Sequence, residues 1–441
     1  MIDQRGDTSA LLGINTKLES ALQNGANPEW VRRANRARKI IEQLEHGEEK
    51  QDYQAVRLAM LAFLRRALPG ATGEFQTKTG KAKTEFRTKH CMGFIRYDMD
   101  FATFTYNDKS GQAGLRDVGL CGMVWPCPVC SERITAGRRR ELKKLLAVND
   151  RYFIIMVTYT MSHGEEELLK PMVDSLNYSI RRTKTGRPWK RFIAKWGIVG
   201  FISALEVTHG KNGWHPHKHE MFVIDREKIE EKGPEAKKRF ETELQAELFA
   251  MYHHKLTEEG RDCDEEHGLV VSANRRDYGD YIDKWGVTEE LTRSVHKIAS
   301  GAGRSVWELL KSAMYGDMQD WSLWLEYVRA FKGKKQLHWS SGLRDLLNLG
   351  LEKSDEELAA EIDLPEEERP VVVVSQMGLT YIHSKDLAGP IVLYIKKTHG
   401  DVDQVLDYLA RMGLRKFVMG GKTVPVSQQE AVGAKGNTID V

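Results

Sequence analysis

The segment FISALEVTHGKNGWHPHKH, residues 201–219, constrains this chain more than any other part of it. It reads as two strands separated by a Gly-Lys-Asn-Gly turn, which predicts an antiparallel hairpin. Because alternate residues of a strand point to the same face, His217 and His219 present two imidazoles side by side. A symmetric turn places Glu206 opposite His217, and a tight Asn-Gly turn places it opposite His219. Either register puts the carboxylate on the histidine face.

Two imidazoles and one carboxylate suit a divalent cation that keeps open positions for a phosphate or water. A chance grouping at the rim of a loop is the alternative, since the chain has 14 histidines. The independent carboxylate favours the metal. His215 would point to the same face as His217 and His219. Pro216, however, cannot donate a hydrogen bond to a neighbouring strand, which predicts that the regular strand begins after it. We therefore expect His215 to be a neighbour of the ligands or a contact to DNA rather than a ligand.

Length and composition indicate a soluble protein of several domains. A chain of 441 residues is too long for one ordinary core, and 41% hydrophobic with 29% charged residues is typical of globular proteins. No run of eighteen apolar residues occurs, and the start MIDQRGDTSA lacks the features of a signal peptide. We therefore predict a cytoplasmic protein without a membrane partner. The net charge of +3 does not indicate nucleic acid by itself, so the distribution of basic residues matters more.

Composition shifts divide the chain into six predicted segments. They are a basic helical N-terminal region at 1–85, a Cys-rich module with a basic helix at 86–145, a central domain at 146–350, an acidic linker at 351–370, a small α/β accessory domain at 371–425 and a disordered tail at 426–441. A solvated helix is an equally good interpretation of the acidic stretch.

Four of the five cysteines lie close together in the sequence. Cys127 and Cys130 have the spacing of a zinc knuckle, and Cys121 and Cys91 complete a tetrahedral four-thiolate site. A redox pair is the alternative, but such a pair normally opens a helix in a thioredoxin-like unit. The two further cysteines favour structural zinc. Cys263, in an acidic loop, is predicted to be a free thiol.

Two basic clusters are candidates for contacts to DNA. The run RRTKTGRPWKRFIAKW, residues 181–196, has seven lysines and arginines without one acid, and a basic helix follows the cysteines. Such surfaces neutralise phosphates, and a tryptophan among them can stack on a base. A solvated basic face is the alternative. The candidate residues are Arg138, Arg139, Arg140, Arg187, Trp189, Lys190 and Arg191.

A second candidate cluster lies in RRDYGDYIDKWG, residues 275–286. On a helix, Asp277, Tyr281 and Lys284 share one face. A tyrosine nucleophile needs cationic help near neutral pH, because its pKa is about 10. An amphipathic helix packed on a core is the alternative, and Gly279 weakens the helix itself. The metal hairpin upstream favours the nucleophile.

A metal-binding His-x-His strand followed by a Tyr-x-x-Lys helix resembles the HUH endonucleases, in particular the replication initiator (Rep) proteins of bacterial rolling-circle plasmids. The resemblance covers about residues 88–350 and includes CGMVWPCPVCSERI, a strand ending in TYT, ALEVTHGKNGWHPHKH, YIDKWGVTEEL and KKQLHWSSGLRDLL. It implies an α+β fold in which helices flank a central antiparallel sheet with a ferredoxin/RRM-like core. The helical N-terminal region, the zinc module and the α/β appendage would surround that core in a cytoplasmic bacterial protein.

The resemblance also implies a reaction and a role for each site residue. His217 and His219 would hold Mg²⁺ or Mn²⁺, with Glu206 as the third ligand. Tyr281 would nick single-stranded DNA at the double-strand origin, leaving a 5′-phosphotyrosine and a 3′-OH primer, and would rejoin strands at termination. Lys284 matches the accompanying lysine. Asp277 stands where such initiators commonly carry a glutamate that activates water, and it is one methylene shorter.

Several alternatives remain open from the sequence. A metallohydrolase or cupin-type oxygenase would need further ligand spacings that are absent. A non-catalytic zinc-dependent DNA-binding regulator leaves the histidines and Tyr281 unexplained. A conjugative relaxase or a transposase shares the chemistry. No GxxxxGK(S/T) phosphate-binding loop is present, so we predict that a host helicase supplies any unwinding. The resemblance further implies plasmid origin DNA, duplex and single-stranded, and a replicative polymerase as partners.

Overall fold

The computed structural model describes residues 53–70, 85–147, 151–228, 233–273, 303–361 and 368–420. Its helices are α1 Tyr53–Ala67, α2 Pro128–Ala147, α3 Leu169–Thr183, α4 Gly186–Lys195, α5 Pro234–Arg239, α6 Gln245–Glu258, α7 Val306–Met314, α8 Met318–Ala330, α9 Leu343–Leu346, α10 Asp355–Ala360, α11 Gln376–Ser384, α12 Ala388–Lys397 and α13 Val402–Arg411. Its strands are β1 Ala102–Asn107, β2 Ala113–Arg116, β3 Tyr152–Tyr159, β4 Ile198–Gly210, β5 Gly213–Asp225, β6 Leu269–Ser272, β7 Leu337–Trp339, β8 Glu368–Val374 and β9 Val418–Gly420. None of the helices in these ranges is both long and apolar enough to cross a membrane.

The chain divides into two compact units that interleave in sequence. The first combines Met1–Ser131, Ala313–Asp317 and Asp355–Val441, and the second combines Glu132–Ser312 and Met318–Ser354. The cut before Asp355 falls within the predicted acidic linker. The predicted tail and most of the predicted N-terminal region lie outside the described residues.

The first unit is built from both halves of the chain. Its four-stranded sheet has the order β2-β1-β8-β9, and all of its pairs are antiparallel. The sequence pattern predicted a Cys-rich module and a separate C-terminal accessory domain. The structure instead joins them, because β8 pairs along the whole of β1.

The second unit contains the ferredoxin-like core. Its sheet has the order β6-β3-β5-β4-β7 with every pair antiparallel. Helices α3 and α4 connect β3 to β4, and α5 and α6 connect β5 to β6. This is a split β-α-β arrangement, a βαββαβ unit with one extra edge strand. The predicted α+β class with a central antiparallel sheet is confirmed.

The long hairpin β4-β5 forms as its turn signal predicted. Gly210 pairs with Gly213, so Lys211 and Asn212 form a two-residue loop, and Glu206 pairs with His217. Gly213 has a φ of 82°, and a Cβ there would lie 2.4 Å from the carbonyl oxygen of Glu165. Only glycine fits both requirements. The symmetric register is therefore confirmed.

The two faces of this sheet are covered by different layers. Towards the C-terminal end of β5, the face that carries Met221 packs against α2 and α9 in a buried apolar cluster that includes Leu142 and Leu343. On the opposite face, Trp189 of α4 packs against Phe201 and Phe222. The apolar residues of the hairpin thus fix the sheet between helices and leave the histidine end of one face outside that cluster.

Candidate functional site

The candidate metal ligands lie on adjacent strands of one sheet face. Glu206 pairs with His217 across β4 and β5, and His219 pairs with Ala204 on one side and with Thr158 of β3 on the other. Side chains on this face change from polar to apolar at Met221. The hairpin therefore carries its ligands just beyond a rigid core, as a preorganised metal site requires.

His219 is oriented by two contacts. Its Nε2 lies 3.1 Å from Oε2 of Glu206, and its Nδ1 lies 3.0 Å from Oγ1 of Thr158. Two ligands bound at right angles to one cation at about 2.1 Å each would be about 3.0 Å apart. When Nδ1 donates to Thr158, the Nε2 lone pair faces Glu206. This spacing and this tautomer both fit a shared cation.

His217 is held neutral and has spare ligand capacity. Its Nδ1 is buried and has no hydrogen-bond partner among the residues that the structure describes. Burial, and next the neighbouring His215, lower the pKa of His217 to about 3. Its ring lies nearly parallel to that of His219, with centroids 5.9 Å apart. A neutral imidazole is the form that binds a metal.

His215 belongs to this face, and so does His163, which sequence reasoning missed. The prediction of a later strand start is wrong, because β5 runs from Gly213 through Pro216. The proline is tolerated since β3 ends opposite Lys218, so Pro216 has no ladder neighbour on that side. The ring of His215 lies 4.2 Å from that of His217, and its Nδ1 lies 2.8 Å from Nε2 of His163. His163 follows β3, far from the hairpin in sequence, and had no local signal.

The four predicted zinc ligands come together in the first unit. The Sγ atoms of Cys91, Cys121, Cys127 and Cys130 all lie within 4.8 Å of one another, and all four residues are buried. Three of the Sγ pairs are 3.6 Å apart. A zinc ion with Zn–S bonds of about 2.3 Å would give sulfur separations of about 3.8 Å. The cluster could hold zinc. Cys263 is a buried thiol of the other unit, and burial raises its pKa to about 12.

The predicted DNA-binding residues separate into buried and exposed groups. Arg138 is buried and pairs with Glu352 at 3.5 Å, and Trp189 is stacked on Phe192 inside the second unit. The basic runs predicted that both residues lie at the surface. They are buried instead, because α4 packs its apolar side inward and α2 places Arg138 inward. The exposed residues are Arg140, Arg187, Lys190 and Arg191, and Arg139 is partly buried. Helix α4, which carries three of them, covers the sheet face opposite the histidines.

The predicted nucleophile helix lies outside the described residues, which end at 273 and resume at 303. Asp277, Tyr281 and Lys284 therefore remain predictions. The two flanking segments are described. Ser272 of β6 pairs with Met156, and Arg304 pairs with His209 near the tip of the hairpin. Both ends of the segment that contains Tyr281 thus start from the sheet that carries the histidines.

Comparisons with known proteins give one family match and two similar proteins. Residues 114–234 match the family model "Rep_1: Replication protein". The chain is 28% identical over 307 residues to "Protein rep" of Streptomyces lividans, a match covering 55% of this chain and 66% of that protein. It is 29% identical over 154 residues to "Neomycin resistance protein" of Streptomyces cyanogenus, covering 29% of this chain and 35% of that protein. The matches thus span less than two thirds of either relative. No solved structure matches the chain significantly.

The family match and the site coincide. The matched region contains β3, the whole hairpin with Glu206, His217 and His219, and three of the four clustered cysteines. It ends before the tyrosine segment. Residues 114–234 are similar to a family of replication proteins, and the resemblance of this chain to plasmid replication initiators is confirmed.

Proposed function

We propose that this protein starts rolling-circle replication of a plasmid by nicking single-stranded DNA at the double-strand origin, and that it rejoins strands at termination. The observation that carries the proposal is the placement of Glu206, His217 and His219 on one sheet face inside the replication-protein region. A regulator that only binds DNA has no use for this ligand set, so its geometry favours an enzyme.

The ligand set fits Mg²⁺ or Mn²⁺. Glu206 supplies a hard, charged oxygen, and two imidazole ligands beside it leave coordination positions for DNA. When bound, the cation would polarise the scissile phosphate and offset charge that develops on its oxygens. Thr158 holds the ring of His219 in place, and the His163–His215 pair packs behind His217. The protein thereby fixes the ligands before DNA arrives.

Tyr281 is the proposed nucleophile. Its hydroxyl oxygen forms a bond to phosphorus while the bond to the 3′ oxygen breaks, so a 5′-phosphotyrosine and a 3′-OH result. Lys284 would favour the phenolate by its charge. Tyr159 and Tyr252 of the second unit are poor substitutes, because burial raises the pKa of both hydroxyls well above the ordinary 10.0. Asp277 would receive the proton of the attacking group at termination.

Origin DNA is the proposed substrate. The phosphodiester energy is kept in the tyrosine link, so rejoining needs no ATP, and the 3′-OH can prime a host polymerase. A host helicase would supply the unwinding. The exposed basic face of α4, formed by Arg187, Lys190 and Arg191, is a candidate for phosphate contacts away from the cleavage site.

The direct test is covalent capture of cleaved DNA. The protein is incubated with Mn²⁺ and an oligonucleotide that spans its cognate origin, and adducts that survive denaturant are separated by electrophoresis. Tyr278, the other tyrosine of the segment RRDYGDYIDKWG, supplies the matched control. We expect an adduct with the wild type and with Tyr278→Phe, and none with Tyr281→Phe. An adduct with Tyr281→Phe would reject the nucleophile. Absence of any adduct with the wild type would reject the nicking reaction itself.

A further inference from the structure

We propose that the four-cysteine cluster is a structural zinc site that locks helix α11, near the end of the chain, onto helix α1 through Arg65 and His383. The proposal does not rest on the nicking reaction. It concerns the first unit alone, whose elements come from distant parts of the sequence.

The cluster joins two segments outside the helices and strands to the start of α2. Cys91 follows the short turn Arg87–His90, Cys121 lies in an irregular segment, and Cys127 and Cys130 flank the start of α2. Gly122, beside Cys121, has a φ of 61°. The backbone N–H of Cys130 donates to the sulfur of Cys127 at 3.4 Å. A bound zinc would hold these loops with the free energy of four Zn–S bonds.

Arg65 connects this cluster to helix α11. From the last turn of α1, its Nε donates to the carbonyl oxygen of Cys91 at 3.1 Å, and its Nη2 donates to the same oxygen. Its Nη1 lies 2.6 Å from Nδ1 of His383, a residue of α11. The side chain therefore bridges a zinc-ligand residue and α11. Four thiolates and one Zn²⁺ carry net negative charge, which the nearby guanidinium offsets.

His383 closes the connection in a defined tautomer. Its Nε2 lies 2.6 Å from the carbonyl oxygen of Met92, which can only accept, so Nε2 carries the hydrogen. Its Nδ1 must then accept from Arg65, which can only donate. Cys91 and Met92 would thus be held at three points. The zinc would bind the sulfur of Cys91, Arg65 donates to the carbonyl oxygen of Cys91, and His383 donates to the carbonyl oxygen of Met92.

Neighbouring contacts extend the same junction. Arg66 donates to the carbonyl oxygen of Ser384 at 3.1 Å and pairs with the buried Asp386. Lys89 donates to the carbonyl oxygens of Arg65 and Leu68, at 2.8 Å each, at the end of α1. When the metal leaves, the loop at Cys91 is released, and Arg65 loses its acceptors. A buried guanidinium without acceptors is costly, so α11 should separate from α1.

The test measures metal content and local stability on the full chain. The purified protein is expected to contain one zinc per chain by elemental mass spectrometry. Removal of that zinc with a mercurial reagent and a chelator should speed hydrogen exchange in α1 and α11 by about tenfold or more, and zinc should restore protection. Exchange in β3 and β5 of the second unit should not change. Iron in place of zinc, no metal, or unchanged exchange in α11 after removal would each overturn the proposal.

A second comparison separates the lock from metal binding. His383→Leu should keep the zinc content of the wild type while exchange in α11 rises, because an apolar side chain can neither accept from Arg65 nor donate to Met92, but all four thiolates remain. Cys263→Ser is the matched cysteine control and should change neither quantity, since Cys263 lies in the other unit. If His383→Leu leaves exchange in α11 unchanged, Arg65 and His383 do not form the lock.

Discussion

The two faces of strand β5 carry titratable residues at alternate positions, yet they differ in how those residues are partnered. On one face, a ring nitrogen of His217 has no partner among the described residues, and the Glu206 side chain is 38% exposed. On the other face, Glu220 is 1% exposed at its side chain and pairs with Lys184, which follows α3 and is 9% exposed. One strand therefore supplies both a site and a buried ion pair.

The difference lies in what surrounds each group. The Nζ of Lys184 lies 3.6 Å from the centroid of the Phe201 ring and within 6.0 Å of three further aromatic rings. Burial lowers the pKa of Lys184 to about 8, although Glu220 opposes that shift. Lys184 and Oε2 of Glu220 thus pair inside the protein, while Oε1 of Glu220 is buried without a hydrogen-bond partner among the described residues. On the histidine face, Nδ1 of His217 has no hydrogen-bond partner among the described residues, which supports the proposed cation site.

The largest effect should come from breaking the buried pair. Lys184→Met leaves Glu220 buried without its cation, so the free energy of unfolding should fall by about 3–5 kcal/mol. The measurement is urea denaturation followed by fluorescence. Lys184→Met/Glu220→Met should recover most of that loss. Lys195→Met is the matched control, because its pair with Glu247 is exposed and contributes at most about 1 kcal/mol. A double variant no more stable than Lys184→Met would show that the two charges are not coupled.

Removing a proposed metal ligand should affect metal binding far more than stability. His217→Gln should weaken Mn²⁺ binding by about 100-fold while the free energy of unfolding changes by less than about 1 kcal/mol. Calorimetric titration with Mn²⁺ measures the first quantity and urea denaturation the second. His215→Gln is the control on the same face and should have a smaller effect on Mn²⁺ affinity. If His217→Gln unfolds the protein but binds Mn²⁺ normally, the two faces have been assigned the wrong way round.

A smaller effect should come from the residue that orients a ligand. Thr158→Val removes the hydroxyl that lies 3.0 Å from Nδ1 of His219 but keeps the shape of the side chain. We expect Mn²⁺ affinity to fall by about tenfold. Thr160→Val is the matched control, since its hydroxyl donates to the carbonyl oxygen of His267 instead. Equal losses in both variants would mean that Thr158 acts through general stability.

How much of the fold and of the candidate site could be predicted from the sequence depended on how far apart the contacting residues lie along the chain. The hairpin register follows from a local turn and the period of a strand, so Glu206 could be placed opposite His217. The contact between His163 and His215 joins residues 52 positions apart and has no local signal. The pairing of β8 with β1 is more distant still. Trp189 is different, because it and Phe192 share the inner face of α4. That helical spacing was a readable signal, which the density of basic residues obscured.

The smallest expected effect is a change in the free energy of unfolding with pH. It tests the Lys184–Glu220 face of β5 without altering the histidines on the other face. The folded pKa of Lys184 is about 8, below the ordinary value of 10.5. Between these values the unfolded chain holds a proton that the folded chain has lost, so the contribution of Lys184 to stability rises with pH in this window. Relative to Lys184→Met/Glu220→Met, the wild type should gain about 1 kcal/mol between pH 8 and pH 9. Urea denaturation of both proteins across this range measures the difference. A flat difference would mean that Lys184 stays charged throughout, and the aromatic rings around it would then stabilise its cation more than burial penalises it.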